Sequence, residues 1–167
     1  MAGTASADAA FDDLFRREYP GLVRRVRVVV GSTAVAEEVV QEAFCTALER
    51  WSAVCRTERP GAWVQVVALR LAVKQEGRRR KGSALVPGWS VGRLLRAADV
   101  DLERAIAELS PGQRSAVVLH HVLDLPVGEV AEVLGVSPGT VKTQLHRGRA
   151  RLAELLGEPE EVSDGAR

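Results

Sequence analysis

The sequence predicts an all-α protein of two small helical domains joined by a flexible linker, and three observations lead to this prediction. Apolar residues recur every three or four positions through most of the chain. No segment shows the alternation of apolar and polar residues that is typical of a β-strand. Gly and Pro residues concentrate between residues 82 and 100, which separates two blocks of helical pattern.

Composition limits the class of protein. The chain has 167 residues, 46% of them hydrophobic and 27% charged, with a net charge of +1. This balance is too apolar for a wholly disordered chain, and the length allows one ordinary domain or two small ones. No apolar run approaches the roughly 20 residues of a membrane helix, and the N-terminus lacks the basic and apolar regions of a secretory signal. We therefore expect a cytoplasmic protein without a membrane partner.

The sequence offers no metal, cofactor or catalytic site. Cys45 and Cys55 lie ten positions apart, which fits neither a CxxC motif nor a disulfide framework. His120 and His121 diverge by about 100° on a helix, so we expect one to pack in the domain and the other to face solvent. Glycine-rich phosphate loops, HExxH and GxSxG are all missing. We expect no enzymatic activity, no catalytic residue and no cofactor.

The first block, residues 11–81, predicts three helices. The first carries apolar residues at helical spacing from Phe11 to Val26, with a kink expected at Pro20. The third begins after Pro60 and buries its apolar side. The second begins after Ser32, and its predicted buried face comprises Val35, Val39, Val40, Ala43, Phe44, Ala47, Leu48 and Trp51.

Two faces of this block are charged. The second helix carries an acidic face, defined by Glu37, Glu38, Gln41 and Glu42. The third helix carries a basic face, which comprises Arg70, Lys74, Arg78, Arg79, Arg80 and Lys81. An acidic face by itself is most often only solvated, and basic residues at a helix end also complement the helix dipole. The number of basic residues exceeds what a helix end needs, which favours phosphate binding.

The second block, residues 101–156, predicts four helices. Ser110 and Gln113 can form a capping box around a first-turn Pro. A short helix from Val127 to Leu134, a turn at Gly135 and a longer helix after Ser137 follow. The tail beyond residue 157 is acidic and is expected to fray.

The short helix, tight turn and long helix form a helix-turn-helix pattern, which is typical of DNA-binding domains. Val136 and Leu155 are both expected in its core. The polar positions of the long helix suit phosphates and base edges, with Arg for guanine and Gln for adenine. We expect DNA contacts from Thr140, Lys142, Thr143, Gln144, His146 and Arg147. The alternative is an ordinary helical hairpin with a solvated basic face.

Three motifs, in order, resemble those of extracytoplasmic-function (ECF) sigma factors. Residues 36–44, AEEVVQEAF, resemble the signature AEDLVQETF of this family. Residues 62–69, AWVQVVAL, with the basic cluster behind them resemble the helix that follows. Residues 109–114, 129–134 and 139–142, together with Arg147, resemble the second domain. The resemblance covers about residues 11–156, and the Ala-, Val- and Arg-rich composition is similar to that of actinobacterial members.

The resemblance implies a sigma factor that directs promoter-specific initiation by core RNA polymerase. Its first domain would bind the polymerase clamp helices through the acidic face and the −10 element through the basic face. Residues 52–61 match the loop that receives a flipped base in relatives. The second domain would bind the −35 element and the polymerase flap. An anti-sigma factor is typical of the family, although no residue here specifies one.

The sequence also departs from the family pattern. Arg70 stands where Asn is usual, Lys74 where Asp or Ser is frequent, and Gly77 where Arg is common. Because Arg cannot accept hydrogen bonds as Asn can, discrimination at −10 is expected to be looser. Gln144 replaces a common Arg. Two alternatives stay open: a helix-turn-helix regulator that is not a polymerase subunit, and a regulatory protein that has lost promoter binding.

Overall fold

The computed structural model describes residues 2–82 and 100–157, so residues 83–99 of the predicted linker and the acidic tail beyond residue 157 lie outside the described residues. The described part contains helices and no strand, which confirms the all-α prediction. The α-helices are α1 (Ala2–Val30), α2 (Thr33–Glu49), α3 (Trp51–Val54), α4 (Pro60–Gly82), α5 (Val100–Glu108), α6 (Pro111–Val117), α7 (Val127–Leu134) and α8 (Pro138–Leu156). A π-helix, Val118–Val122, continues α6.

Helices α1, α2 and α4 pack against one another and form the N-terminal helix group together with α3. Helix α1 begins before Phe11 and continues through Pro20, so the helix is not interrupted there. Pro20 is exposed, and water can therefore bind the carbonyl that a proline leaves without its helical donor. The Ser32 side chain accepts a hydrogen bond from the Val35 backbone N–H and starts α2.

An aromatic cluster joins α2 to α1. The Phe44 ring lies 4.8 Å from the Phe15 ring and 6.1 Å from the Phe11 ring, and the Phe11 ring lies 5.2 Å from Trp51. Such edge-to-face pairs add to the free energy gained from burial alone. Leu48 does not join this cluster, because its side chain is 53% exposed. The prediction that Leu48 is buried was wrong, since its direction around α2 falls on the solvent side.

Helices α5 to α8 form the C-terminal helix group, in which α5, α6 and α7 pack against α8. The capping box is present, with Ser110 and Gln113 each bonded to the other's backbone N–H. Arg114 is buried and donates from Nε to the Ile106 carbonyl at 2.7 Å and from Nη2 to the Leu109 carbonyl at 2.7 Å. Nη2 also bonds the Ala107 carbonyl. One guanidinium therefore donates to three carbonyls at the end of α5, where only the Ile106 carbonyl also accepts from a backbone N–H, that of Leu109 at 3.3 Å.

The two adjacent histidines have different environments, as predicted. His120 is half-buried, and its Nδ1 lies 2.7 Å from the Leu125 carbonyl oxygen. His121 is exposed. Although its side chain reaches solvent, burial of part of it, followed by the nearby charges of His120 and Arg149, lowers the pKa of His121. The π-helical turn that holds both residues was not predicted, because apolar spacing does not report a change from i+4 to i+5 hydrogen bonding.

The two helix groups also pack against each other, chiefly through α4 and α7. This contact could not be predicted from the sequence. Composition and periodicity describe each helix separately, and they carry no information on how two groups joined by a linker will dock.

The role of Arg114 gives a stability prediction. Arg114→Met keeps the aliphatic stem but removes the donor of the Ala107 and Leu109 carbonyls. We expect a loss of about 2 kcal/mol in the free energy of unfolding, because buried carbonyls that lose their partner cost about 1–3 kcal/mol. Urea denaturation followed by circular dichroism measures this. Arg104→Ala, on the exposed side of α5, is the control and should change stability little; an equal loss in both variants would contradict the role of Arg114.

Candidate nucleic-acid interface

The turn between α7 and α8 has the backbone geometry of a helix-turn-helix. Gly135 ends α7 with φ of 66°, in the left-handed region that favours glycine. The Val136 backbone N–H donates to the Ala131 carbonyl at 3.1 Å and closes the turn. The Ser137 hydroxyl then accepts from the Thr140 backbone N–H at 3.1 Å and starts α8. The sequence predicted the turn at Gly135 and the start of α8 after Ser137.

One side of α8 is fixed to the rest of the C-terminal group. Val141, Leu145 and Gly148 are buried. A side chain cannot fit at Gly148, since an added Cβ would lie 2.8 Å from Val117 Cγ2. The core predictions for Val136 and Leu155 were wrong, because Val136 is 40% exposed and Leu155 is 36% exposed.

The opposite side of α8 is open to solvent. It presents four predicted residues that are all exposed: Lys142, Thr143, His146 and Arg147. The Thr143 hydroxyl donates to the Gly139 carbonyl at 3.0 Å, so its oxygen is engaged within the helix. Thr140 is exposed and its hydroxyl lies 2.9 Å from that of Ser137.

Gln144 differs from these neighbours. It is half-buried, and its amide packs so closely on Gly112 of α6 that a Cβ there would lie 3.3 Å from it. Its side chain therefore turns toward α6 and away from the side that carries Arg147.

The basic face of α4 is only partly free. Arg70, Lys74 and Arg78 are exposed at four-residue spacing. The Arg70 guanidinium donates from Nη2 to the Glu132 carbonyl of α7 at 2.7 Å. The predicted −10 residues Arg79, Arg80 and Lys81 lie in the helical backbone of α4, but their side chains are outside the described part.

A cleft of about 720 Å³ lies beside Arg70. The N-terminal group contributes Trp63 and Val67 of α4 and Thr57 and Arg59 of the predicted flipped-base loop, among other residues. Helix α7 contributes the remaining wall, formed by Glu129 and Glu132. The proposed −10 face and the helix-turn-helix therefore share one cleft.

The acidic face of α2 is open to solvent. Glu37, Glu38, Gln41 and Glu42 are all exposed. Leu48 lies two helical turns after Gln41 on the same side of α2 and extends this face with an apolar residue. Sequence reasoning missed Leu48, although its seven-residue spacing from Gln41 was the signal that could have found it.

Comparisons with known proteins match both helix groups. Residues 14–82 match Sigma-70 region 2, and residues 99–152 match Sigma-70 region 4. The chain is 31% identical over 153 residues to the ECF RNA polymerase sigma factor SigM of Mycobacterium tuberculosis, covering 89% of this chain and 78% of SigM. It is 30% identical over 162 residues to the RNA polymerase sigma factor CarQ of Myxococcus xanthus, covering 92% and 93%.

The chain belongs to the ECF family of RNA polymerase sigma factors. It is thus a sigma factor, a class that binds core RNA polymerase and promoter DNA. The region 2 match also removes the reading as a helix-turn-helix regulator outside the polymerase.

Solved structures agree on the fold of this sigma factor. CnrH in complex with the cytosolic domain of CnrY is similar with a TM-score of 0.57 and 27% identity, over 91% of this chain and 93% of CnrH. RpoE in complex with the anti-sigma factor NepR from Bartonella quintana has a TM-score of 0.62 and 24% identity, over 88% of this chain and 96% of RpoE.

Among residues 2–82 and 100–157, no helix is long and apolar enough to cross a membrane, and no group of three or more His, Cys, Asp or Glu could hold a metal ion.

The turn at Gly135 gives a second prediction. Gly135→Ala adds a Cβ that meets no atom within 4 Å, so only the left-handed backbone opposes it. We expect a loss of about 1–2 kcal/mol in the free energy of unfolding. Thermal denaturation measures the change.

Gly128→Ala is the matched control, because its Cβ also meets no atom within 4 Å but its backbone is helical. This variant should be neutral or stabilised by up to about 1 kcal/mol. Equal melting temperatures for the two variants would show that the turn does not depend on glycine.

Proposed function

We propose that three exposed helical faces divide the work of this sigma factor. The acidic face of α2 binds core polymerase, the basic face of α4 binds the −10 element, and α8 reads the −35 element. The observation that carries the proposal is that one chain exposes both an acidic face on α2 and a basic recognition face on α8.

The face of α2 suits a basic partner helix. Four polar or acidic side chains are exposed on this face, and Leu48 adds an exposed apolar group at one end of it. Protein interfaces commonly combine an apolar contact with charged surroundings, which set orientation and association rate. The Phe44 cluster behind this face keeps it rigid. We therefore assign Glu37, Glu38, Gln41, Glu42 and Leu48 to the polymerase contact.

The face of α4 suits a nucleic-acid backbone. Arg70, Lys74 and Arg78 are exposed on successive turns and can bind phosphates, which supply affinity without reading sequence. Arg79, Arg80 and Lys81 extend the same run along the sequence. The cleft beside the flipped-base loop is the corresponding place for an unstacked base of the −10 element.

The face of α8 suits the major groove. Arg147 can make two hydrogen bonds to guanine, whereas Lys142 acts as a point charge on phosphate. Thr143 presents its methyl group, since its hydroxyl is bonded within the helix. Thr140 lies at the helix start, where phosphates bind backbone N–H groups. Gln144 contributes through packing on α6 more than through base contact.

The organisation into units follows the same division. We assign residues 11–81 to polymerase and −10 binding, residues 82–100 to a linker, and residues 101–156 to −35 binding, with an acidic tail after residue 157.

The family is not a class of enzymes, and catalysis belongs to the polymerase. The sigma factor then acts in the cytoplasm, where polymerase and DNA are found. An anti-sigma factor is a further candidate partner, because CnrH and RpoE were solved with CnrY and NepR bound.

Promoter-specific transcription tests the proposal. Core RNA polymerase with the purified chain should start transcripts at defined positions on a library of genomic fragments from the source organism. Core polymerase alone is the control and should start at no common position. A folded chain that binds core polymerase but gives no defined start would instead support the reading as a regulatory protein without promoter binding.

The polymerase face gives a charge-reversal prediction. Glu38→Arg combined with Glu42→Arg should abolish co-purification with core polymerase, because like charges at an interface cost several kcal/mol. Leu48→Asp should weaken binding by about tenfold through loss of an apolar contact. Asp12→Arg combined with Asp13→Arg, both exposed on α1, is the charge-matched control and should bind core polymerase as the parent does. Unchanged binding of the folded double variant would place the interface elsewhere.

The recognition face gives a specificity prediction. In the full-length chain, Arg147→Ala should relax the preference among −35 duplexes, since a bidentate contact to guanine is worth about 1–3 kcal/mol of discrimination. Lys142→Ala should weaken binding to all duplexes alike and reduce the salt slope by about one unit. Binding to a −35 duplex library at several salt concentrations measures both. A ranked preference that survives Arg147→Ala would move base readout to Thr143 or His146.

A further inference from the structure

A cavity of about 400 Å³ lies between α1, the start of α4 and the segment that follows the π-helix. This volume is in the range of pockets that hold small molecules. Its wall includes Arg17, Arg24 and Arg25 of α1, Gln65 of α4, and Asp124. In the described part of the chain, none of the residues on the three proposed faces lines it, so it is a separate site.

The α1 side of this cavity presents guanidinium groups. Arg24 is exposed and makes no hydrogen bond or ion pair within the part of the chain that the structure describes. Arg25 donates to the side-chain oxygen of Gln65, which leaves the amide nitrogen of Gln65 as a further donor. Arg17 is paired with Glu18 at 3.0 Å, and its side chain is 65% exposed. A guanidinium binds phosphate through two parallel hydrogen bonds, so this side suits a group with several phosphate oxygens.

Gly21 leaves open space on the same side. It lies in the interior of α1, where glycine is unfavourable relative to alanine. A Cβ at Gly21 would meet only the Arg24 guanidinium, at 3.9 Å, among the described residues. The Arg24 side chain therefore extends back over Gly21, at the floor of the cavity, where a ligand can reach its guanidinium.

The opposite side of the cavity carries a carboxylate on a fixed backbone. Asp124 has φ of 54°, in the left-handed region. The backbone N–H groups on either side of it hold this segment, since Leu123 donates to the Val118 carbonyl at 3.0 Å and Leu125 to the Leu119 carbonyl at 3.1 Å. The Asp124 carboxylate repels phosphates but accepts hydrogen bonds from hydroxyl or amino groups, and Leu123 beside it adds an apolar surface.

We propose that this cavity binds a nucleotide that carries at least two phosphates. The Arg24 and Arg25 guanidiniums hold the phosphates, and Asp124 accepts a hydrogen bond from the sugar or the base at the other end of the ligand. Pyrophosphate would leave the carboxylate without a donor, and a DNA strand would carry phosphates past it. A nucleotide places phosphates and hydrogen-bond donors at opposite ends, as the two sides of the cavity require.

Isothermal titration calorimetry with GDP, ADP and pyrophosphate tests the site. The full-length chain is used, because both helix groups line the cavity. At least one of the two nucleotides should bind with one-to-one stoichiometry and about tenfold more tightly than pyrophosphate, which lacks the sugar and the base. Arg24→Ala and Arg25→Ala should each weaken nucleotide binding by about tenfold or more, because each removes hydrogen bonds to a charged group. Arg16→Ala is the matched control, since Arg16 is exposed on α1 and does not line this cavity.

Two further variants examine the other parts of the cavity. Asp124→Asn should weaken nucleotide binding by about tenfold and leave pyrophosphate binding unchanged or tighter, since only the nucleotide offers a donor to the carboxylate. Asn tolerates the left-handed backbone, so the turn should be kept. Gly21→Leu should fill the floor of the cavity and abolish nucleotide binding, while circular dichroism shows the helical content of the parent.

Several results would overturn the proposal. These are binding of neither nucleotide, pyrophosphate binding as tight as that of the nucleotide, an equal loss in Arg16→Ala, and parental affinity in a folded Gly21→Leu chain. A single-stranded DNA oligonucleotide is titrated in parallel. If it binds, loses affinity in Arg24→Ala and is not displaced by GDP or ADP, these arginines belong to a DNA-binding surface and the nucleotide site is wrong.

Discussion

The burial of one side of α4 is the constraint on which the rest of the structure depends. Val64, Ala68, Leu69 and Ala72 are almost fully buried against α1 and α2. Small alanine side chains let the helices approach closely, and close packing leaves α4 a single orientation. The direction of its outer face is then fixed, so Arg70, Lys74 and Arg78 point away from the core on successive turns. The contact of Arg70 with α7 follows from that orientation, as does the exposure of the face that we propose for −10 DNA.

The C-terminal group consists mainly of short helices, so many backbone N–H and C=O groups at helix ends need a hydrogen-bond partner from outside the helix. Ser110 with Gln113, Gly135 and Ser137 each close a helix end with a local hydrogen bond or a left-handed turn. Arg114 closes the end of α5 from within the core. Because short helices are marginal without such caps and packing, these contacts hold α8 in position and leave its outer side free.

The side chains that we propose to bind partners are charged or apolar groups that the fold leaves exposed. The acidic face of α2 has a rigid aromatic layer behind it. Leu48 is exposed to solvent, although its neighbours Phe44 and Ala47 are buried in the core. Arg70 shows the opposite case, since the chain itself provides its partner in Glu132.

The sequence by itself determined the all-α class, the bounds of α7 and α8, the caps at Ser110 and Ser137, and the family, because helical periodicity, capping residues and local motifs are properties of adjacent residues. It also placed Lys142, Thr143, His146 and Arg147 on one exposed side of α8. Only the tertiary structure decided the exposure of Leu48, Val136 and Leu155, the direction of Gln144 toward Gly112, and the docking of α7 on Arg70. Each of these depends on which distant surface covers a residue, and a helical pattern gives the side of a helix without identifying its neighbour.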